Sequence, residues 1–528
     1  MLAKLKSIKT NFQTHGLKDY IKSNLSVKKT MAEFLMLSLR YRLVGLLYGK
    51  NLYPDPIKIS QLKLLIEEYG KKNCKDELEK SLNATALAEQ AFPYIVDGNF
   101  DKARSLLYQA EKLDPVNPNI FQQYSRLFRW EEGHYSHQQL DNIIKCKQLL
   151  ENQNLVPYCF DPKTRFLTAN WTIFVGHIGL LEFHIKARKL GLFPSENYRL
   201  ITLERLTANK AYLSYFSDYI DIDYLSENEY WIYENCFKAF QEPIEVWKLK
   251  QGFVDLYEII DQVQEQWVQK QLPPLLQIKN EHRENGLAIL KQLSIPEGAW
   301  FVSLHVRGES KGFDEGDPQD GRNCDVFSYL PAIQAITEAG GYVFRMGHKG
   351  MAPLPDLPRV IDYANSPYKF DWMDVFLWSC CRFFIGTQSG PLQIPHSFGV
   401  PILYTNVASI GYGAPSLYRT LLIPKLWRSI SEDRLLTFSE VLQSPAGWCE
   451  RRKLNSDLVM VDNSPDEIEA GVREMLNLTN CHKGLPYYIL NSSHPSQIKL
   501  DAIRQRYNVI GTVPVSQYFL EKHANLII

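Results

Sequence analysis

The spacing of apolar residues along the chain changes near residue 170. Over residues 31–150, apolar positions recur every three or four residues, which predicts helices. From Asn170 onward, short apolar runs each end at a glycine-containing turn and are followed by a helical pattern. Alternation of this kind is typical of a parallel α/β fold. The chain is therefore predicted to hold one all-α region followed by α/β architecture.

Part of the helical region has the pattern of a tetratricopeptide (TPR) repeat. Two predicted helices flank the turn at 98–101, and Pro115 ends the second helix. The helix positions that would face each other are Leu87, Ala91, Tyr94, Ala103, Leu107 and Ala110. Gln90 stands where the repeat usually has leucine, and the next unit, around Phe121 and Gly133, is degenerate. We expect a short helical-repeat domain that packs on a neighbour, with a generic helical hairpin as the alternative.

The predicted strands fall into two series. The first covers 171–175, 198–203 and 219–223, and the second covers 300–307, 341–346, 359–362, 382–386 and 400–404. The segment Pro273-Pro274-Leu275-Leu276 and a polar helical stretch at 279–292 separate the series and predict an interdomain linker. The expected domains are 1–150 (helical), 165–280 and 281–480 (α/β), and 481–528, a tail packing back on the core.

Composition restricts the class of protein and its ligands. The 528 residues are 45% hydrophobic and 22% charged, which indicates a globular protein of about three domains. The 59 basic residues balance 59 acidic ones, so the whole chain gives no electrostatic support for nucleic acid binding. Nine cysteines without a Cys-x-x-Cys pair, and an amino terminus without a signal-peptide core, favour the cytoplasm.

The first thirty residues are locally basic. Asp19 is their one acidic residue, against Lys4, Lys6, Lys9, Lys18, Lys22, Lys28 and Lys29. A solvated helical face is one interpretation, and peripheral contact with the anionic inner face of a membrane is the other.

The predicted strand at 300–307 has polar residues toward its carboxyl end. Alternation places Ser303, His305 and Arg307 on one face. In open α/β sheets, ligands bind beyond the carboxyl ends of the strands. Arg307 suits a phosphate there, because its planar guanidinium can donate two hydrogen bonds to adjacent oxygens. The alternatives are an Arg307 paired with an acid of the loop 314–317, and a His305 that is a satisfied core residue.

A second strand end is predicted to lie beside the first. The 341–346 strand continues into Gly347 and His348. Glycine there would let the backbone come close to a ligand, and His348 could reach it. Arg345 could contact the same ligand or pair with a buried acid.

The most specific signal is the turn that follows the 382–386 strand. Its residues are Thr387, Gln388, Ser389 and Gly390, and Pro391 suits the first turn of a helix that runs through about Phe398. Free amides of Ser389, Gly390 and the helix start would form an anion site. A plain strand-turn-helix joint without ligand is the alternative.

The first α/β series contains a similar turn at 174–179, with Gly176 and His177. Across a cleft it would face the phosphate site, which makes His177 a candidate general base or acceptor contact. An acidic cluster could suggest a metal site, but a solvated loop is the more common explanation. Its members are Asp314, Glu315, Asp317, Asp320 and Asp325.

These segments resemble a family of bacterial glycosyltransferases with the GT-B fold, in which two Rossmann-like domains face a cleft. The resemblance covers about 170–476 and is densest over 300–405. It is carried by Leu304-His305-Val306-Arg307, Arg322-Asn323-Cys324-Asp325, Arg345-Met346-Gly347, Ile361-Asp362-Tyr363, Asp371-Trp372-Met373-Asp374, the run from Phe384 to Gly390, and Asp462-Asn463-Ser464-Pro465. The His-x-Arg strand is similar to the donor-phosphate motif of fucosyltransferases, and the Ser-Gly-Pro turn to that of heptosyltransferases. Gly308-Glu309 departs from the fucosyltransferase pattern, which puts a fucosyl donor in doubt.

The resemblance implies a role for each candidate residue. Arg307 would contact the donor diphosphate, Ser389 and Gly390 would bind phosphate, and His177 would lie on the acceptor side. The further donor-binding candidates are His305, Arg345, Gly347, His348, Thr387 and Gln388. The implied reaction is inverting, metal-independent hexosyl or deoxyhexosyl transfer from a nucleotide-sugar, which is a co-substrate and not a cofactor. The acceptor would be a hydroxyl of a glycan, a lipid-linked molecule or a protein, in bacterial surface polysaccharide or glycoconjugate synthesis.

Three other functions fit parts of the pattern. A nucleotide-sugar epimerase could use the same fold without an acceptor. A protein O-glycosyltransferase is suggested by the combination of helical repeats with GT-B in O-linked GlcNAc transferase. A non-enzymatic adaptor could bind a protein partner through its helical region and carry a decayed transferase domain. The joint presence of Arg307, Gly347 and Ser389 argues against decay.

Overall fold

The computed structural model describes residues 75–132, 136–152, 164–194, 197–227, 230, 240–308, 320–411, 420–454, 456–480, 493–509 and 513–528. The basic stretch of the first thirty residues lies outside these ranges. So do Gly133 and the acidic residues Asp314, Glu315 and Asp317. No helix within the described ranges has both the length and the apolar character needed to cross a membrane.

The described part of the helical region consists of helices that pack as two hairpins. They are α1 (Lys75–Val96), α2 (Phe100–Leu113), α3 (Pro118–Glu131) and α4 (His137–Asn152). Small residues such as Ala91 and Ala103 are fully buried where α1 and α2 cross, whereas Tyr94 is exposed. α1 also packs against α3, where the Asn117 side chain donates to Thr85 Oγ1 at 2.9 Å. Membership of the TPR family itself stays a prediction.

The first α/β unit contains a parallel sheet in the order β1-β2-β3. Its strands are β1 (Thr164–Leu167), β2 (Asn197–Thr202) and β3 (Asp221–Tyr224), and helix α5 (Val175–Lys189) connects β1 to β2. The predicted strand at 171–175 is wrong, because Ala169–Trp171 forms a 3₁₀ turn and α5 starts at Val175. The reason is tertiary: Trp171 is fully buried and stacks on Trp247 at 5.8 Å, which overrides the strand propensity of this apolar run.

The connection between the two units combines a hairpin with helices. Helix α6 (Lys210–Leu213) lies within the first unit, between β2 and β3. The connection after β3 contains the antiparallel strands β4 (Val246–Leu249) and β5 (Gly252–Asp255), and then α7 (Leu256–Gln269) and α8 (Asn280–Gln292). The predicted polar helix at 279–292 is confirmed as α8. The preceding Leu275 and Leu276 are buried, so this connection is packed onto the core.

The second α/β unit is built on a six-stranded parallel sheet in the order β11-β10-β9-β6-β7-β8. Its strands are β6 (Phe301–His305), β7 (Tyr342–Arg345), β8 (Val360–Ile361), β9 (Phe384–Gly386), β10 (Ile402–Val407) and β11 (Thr420–Pro424). Each strand predicted for this unit is present. The order places β6 beside β9. The strand order along the chain reverses between these two strands, and doubly wound sheets bind ligands at that point.

Helices cover this sheet, and smaller elements surround it. The helices are α9 (Leu330–Glu338), α10 (Asp371–Cys380), α11 (Gln393–Ser397), α12 (Phe438–Gln443), α13 (Pro465–Asn480), α14 (Pro495–Arg506) and α15 (Gln517–Lys522). An antiparallel sheet that the sequence did not predict contains β12 (Leu426–Ser429), β13 (Arg434–Leu435), β14 (Lys453–Leu454) and β15 (Leu458–Val461). Near the carboxyl terminus, Val515 pairs with Leu422 at the edge of the large sheet.

Candidate functional site

The carboxyl ends of β6 and β9 are joined by two hydrogen bonds. The Thr387 amide donates to the His305 carbonyl at 3.2 Å, and the Arg307 amide donates to Thr387 Oγ1 at 2.9 Å. Thr387 is buried and Arg307 is half-buried. The structure thus brings Arg307 and the turn after β9 together at the centre of the sheet.

The turn after β9 leads into a short helical segment. Gly390–Leu392 forms a 3₁₀ turn with Pro391 in its first positions, and α11 follows directly. Gly399, with φ of 73°, ends the segment and donates its amide to the His396 carbonyl at 2.9 Å. The predicted helix start, proline position and glycine stop are confirmed. The Ser389 side chain is half-buried and makes no capping hydrogen bond.

Gln388 fixes the same turn to its surroundings. Its side-chain Nε2 donates to Glu450 Oε1 at 2.6 Å, and its Oε1 accepts from the Ala408 amide at 3.2 Å. The structure therefore gives the Gln388 side chain protein partners on both sides.

His305 and Arg345 occupy buried positions next to this site. Burial lowers the pKa of His305 to about 3, and the neighbouring Arg345, His348 and Lys369 add to the effect, so the imidazole is neutral at pH 7. No partner for His305 Nδ1 lies among the described residues. Arg345 donates to Asp362 Oδ1 at 3.1 Å and to the Ala352 carbonyl at 2.9 Å. It therefore pairs with an acid, as one of its two interpretations expected, although Asp362 is half-buried and not buried.

Gly347 has two structural reasons to be glycine. Its φ is 151°, and a Cβ at this position would lie 2.4 Å from Met351 Sδ. The amide of His348, an exposed residue, donates to the same sulfur at 3.4 Å. The methionine side chain thus occupies the space beside this glycine, and ligand approach at Gly347 stays a prediction.

His177 lies in the first turn of α5 and not in a turn after a strand. Its Nδ1 and the Asn170 carbonyl oxygen are 2.6 Å apart, which makes Nδ1 the donor and leaves Nε2 as the acceptor. Burial is the main cause that lowers the pKa of His177, and Arg129 adds to it, while the Asn170 bond and Glu245 oppose it. A neutral imidazole with an accepting Nε2 can take a proton from a hydroxyl.

The two units touch backbone to backbone at the site. A Cβ at Gly176 would lie 2.8 Å from the Gly390 Cα, and a Cβ at Gly179 would lie 2.1 Å from the Gln393 Cβ. The turn that was predicted to face Ser389 across a cleft is therefore in direct contact with the neighbouring Gly390. Only glycine permits this approach of α5 to the turn.

A buried ionic cluster joins α5 to α11 next to that contact. Glu182 pairs with Lys186 and with His396 Nδ1, the latter at 2.9 Å, and these three side chains are almost completely buried. Burial alone would raise the pKa of Glu182, but His396 and Lys186 together lower it to about 2. Lys186 Nζ also donates to Gln264 Oε1 at 3.1 Å. The cluster therefore holds the two units together with a charged carboxylate.

Three further residues lie at the site although the sequence did not predict a role for them: Arg322, Glu450 and Phe174. Arg322 Nε donates to the Gln388 carbonyl at 2.8 Å, and Arg322 Nη1 lies 3.6 Å from Glu450 Oε2. Phe174 is 59% exposed, and its ring meets the His177 ring edge-on at 5.1 Å. Arg322 belongs to a segment that carries the family resemblance, which is a usable signal. Glu450 has none, because it reaches Gln388 across 62 positions.

Within the described ranges, no group of three or more His, Cys, Asp or Glu side chains is arranged to hold a metal ion. Two members of the acidic cluster are described, and both accept hydrogen bonds from backbone amides. Asp320 Oδ1 accepts from the Arg452 amide at 2.6 Å, and Asp325 Oδ1 accepts from the Phe327 amide at 2.9 Å.

No protein-family model matches the chain, and no curated protein sequence matches it. Some solved structures do align with it. The E. coli ADP-heptose lipopolysaccharide heptosyltransferase II is 11% identical, with a TM-score of 0.38 over 60% of this chain and 100% of that chain. A glycosyl transferase family 9 structure from Veillonella parvula is 11% identical, with a TM-score of 0.38 over 60% and 98% of the two chains. The iron-containing dodecameric glycosyltransferase TibC from enterotoxigenic E. coli is 12% identical, with a TM-score of 0.33 over 60% and 75%.

Proposed function

We propose that this protein is a glycosyltransferase that moves a sugar from a nucleoside-diphosphate sugar to a hydroxyl acceptor. One observation carries the proposal. The Arg307 amide donates to Thr387 Oγ1, in the turn from Thr387 to Gly390, at the point where the strand order of the doubly wound sheet reverses. The resemblance of the same segments to GT-B glycosyltransferases gives that site its chemistry.

The donor side must stabilise a leaving nucleoside diphosphate. Its negative charge grows as the bond between the anomeric carbon and the phosphate oxygen breaks. We assign Arg307 and the amides of Ser389 and Gly390 as the hydrogen-bond donors, and one preorganised donor is worth roughly 3 kcal/mol in a buried site. We assign the charge stabilisation to these groups and not to a bound metal ion.

The acceptor side must activate a hydroxyl. In the proposed reaction the acceptor oxygen attacks the anomeric carbon from the face opposite the diphosphate, so the configuration inverts. His177 Nε2 takes the hydroxyl proton, and the Asn170 carbonyl supports the resulting imidazolium through Nδ1. Contact between α5 and the donor turn, at Gly176 and Gly390, supports placing the two substrates next to each other.

The finer assignments follow from the family resemblance. We propose a hexosyl or deoxyhexosyl donor and a glycan, lipid-linked or protein acceptor. The reaction would serve bacterial surface polysaccharide or glycoconjugate synthesis on the cytoplasmic side of the membrane.

Thermal melting with GDP, UDP, CDP, ADP and dTDP tests the donor site. At least one nucleotide is expected to raise the Tm of the wild-type protein, because binding at 100 times Kd stabilises the native state by about 2.7 kcal/mol. Arg307→Ala is expected to lose most of that shift. Arg382→Ala is the control, because the Arg382 amide bonds to the Phe301 carbonyl at the opposite end of the central strands. No shift with any nucleotide, or equal shifts in the wild type and Arg307→Ala, contradicts the proposal.

A further inference from the structure

We propose that Arg322 is a second donor-binding residue and that it lets the site distinguish a nucleoside diphosphate from a monophosphate. The inference rests on the proposed function, because it assigns one more contact to the same site. It comes from the position of Arg322 on the turn after β9.

Arg322 is fixed against the backbone of that turn. Its Nε donates to the Gln388 carbonyl at 2.8 Å, one residue before Ser389. The neighbouring Cys324 amide donates to the Arg307 carbonyl at 2.8 Å. The segment from Arg322 to Cys324 therefore runs beside Arg307, and two arginines are attached to one turn at the carboxyl ends of β6 and β9.

The guanidinium of Arg322 has an edge available for a ligand. Its Nη1 lies 3.6 Å from Glu450 Oε2, and 17% of the side chain is exposed. Among the described residues, the hydrogen bond of this guanidinium is the one from Nε to the Gln388 carbonyl, and its ion pair is the one with Glu450. The hydrogen bond from Nε holds the guanidinium beside the turn, and its Nη groups keep N–H donors for an anion.

A purely structural role for Arg322 is not needed to hold the turn. Gln388 is already bound through both ends of its side chain, at 2.6 Å to Glu450 and at 3.2 Å to Ala408. Thr387 is bound at its amide and at its hydroxyl, by His305 and Arg307. The turn therefore keeps four hydrogen bonds when the Arg322 side chain is removed.

Charge balance favours a ligand with two adjacent anionic groups. Arg322 adds a second guanidinium to the turn that Arg307 joins, and its Nη1 lies 3.6 Å from Glu450 Oε2, beyond hydrogen-bond distance. A diphosphate offers each arginine a phosphate group of its own, whereas a monophosphate can occupy only one position. Guanidinium-phosphate hydrogen bonds are charge-assisted, so the second contact strengthens binding substantially.

Isothermal titration calorimetry can separate the two arginines. The probes are the nucleoside diphosphate that gives the largest wild-type melting shift and its own monophosphate. Arg322→Ala should weaken the diphosphate about 10- to 100-fold and the monophosphate less than about threefold. Arg322→Lys should keep part of the diphosphate affinity, Arg307→Ala should weaken both ligands, and Arg382→Ala should weaken neither.

Glu450→Gln tests whether Arg322 acts on the ligand or on the turn. Glutamine can still accept from Gln388 Nε2 but no longer offsets the charge of Arg322, so diphosphate affinity should stay equal or rise. Wild-type affinity in Arg322→Ala overturns the inference. Equal losses of affinity for both ligands in Arg322→Ala, or a loss of diphosphate affinity in Glu450→Gln, also overturn it. Either result indicates that Arg322 stabilises the conformation of the turn. A wild-type protein that binds none of the nucleotides contradicts the proposed function itself, which is a different failure.

Discussion

At the scale of single residues, His177 should set the pH dependence of transfer. Its pKa is lowered below the usual 6.5, chiefly by burial, so the imidazole is neutral and able to accept a proton at pH 7. The value of kcat/KM is therefore expected to be level around pH 7 and to fall only as the pH drops below 6.5. His305 does not interfere, because its pKa is about 3.

A pH-rate profile of the wild type and His177→Gln checks this assignment. Glutamine should lower the rate about 100- to 10,000-fold at pH 7.5 and should remove the acidic fall. Nucleotide melting shifts should stay as in the wild type, since His177 is assigned to the acceptor side. An unchanged acidic fall in the variant would transfer that titration to another group.

At the scale of elements, the fit between α5 and the donor turn depends on glycine. A Cβ at Gly176 would lie 2.8 Å from the Gly390 Cα, and neither backbone can move without shifting its own unit. Gly176→Ala is expected to destabilise the protein by about 1–3 kcal/mol, as overpacking does, and to lower transfer activity further.

Gly308→Ala is the matched control for that substitution. Gly308 follows Arg307, and the nearest atom that a Cβ there would meet among the described residues is Met351 Cε, at 4.0 Å. Melting curves of both variants should show a lower Tm for Gly176→Ala and a wild-type Tm for Gly308→Ala. Equal Tm values would mean that the contact between the two units is not close in solution.

The elements also show which features could be predicted from the sequence. The strands of the second sheet have apolar runs and glycine turns, which are local signals, so the predicted segments coincide with β6 to β10. The run at 171–175 gave the wrong element because burial of Trp171 against Trp247 decides its conformation. Contacts such as Glu182 with His396 join residues 214 positions apart, and no local pattern records them.

At the scale of the whole molecule, the helical region contacts both α/β units. Arg451 Nη2, from the second unit, donates to the Trp130 carbonyl at 3.1 Å. Lys147 Nζ lies 3.9 Å from Glu242 Oε1, in the first unit. Trp130 directly follows Arg129 in the sequence, and the charge of Arg129 contributes to the lowered pKa of His177. The helical region is therefore placed to influence the acceptor side of the proposed site.

Because the cluster of Glu182, Lys186 and His396 joins the two units, the stability of the protein is expected to fall in acid. Because the pKa of Glu182 is about 2 in the folded protein and 4.5 is its ordinary value, the carboxylate contributes stability above pH 4.5. That contribution is lost as the pH falls from 4.5 toward 2. Glu182→Gln should destabilise the protein at pH 7 by about 3–5 kcal/mol, because it leaves the buried Lys186 without its carboxylate partner.

Melting curves between pH 3 and pH 7 test this cluster. The Tm difference between the wild type and Glu182→Gln should be largest at pH 7 and should shrink toward pH 3, because the wild-type carboxyl loses its advantage there. Asp223→Asn is the control, because it breaks an ion pair with Arg199 in which both side chains are 33% exposed. It should change the free energy of unfolding by no more than about 1 kcal/mol. A Glu182→Gln difference as small as that of the control would mean that the α5–α11 contact is stabilised by packing and not by charge.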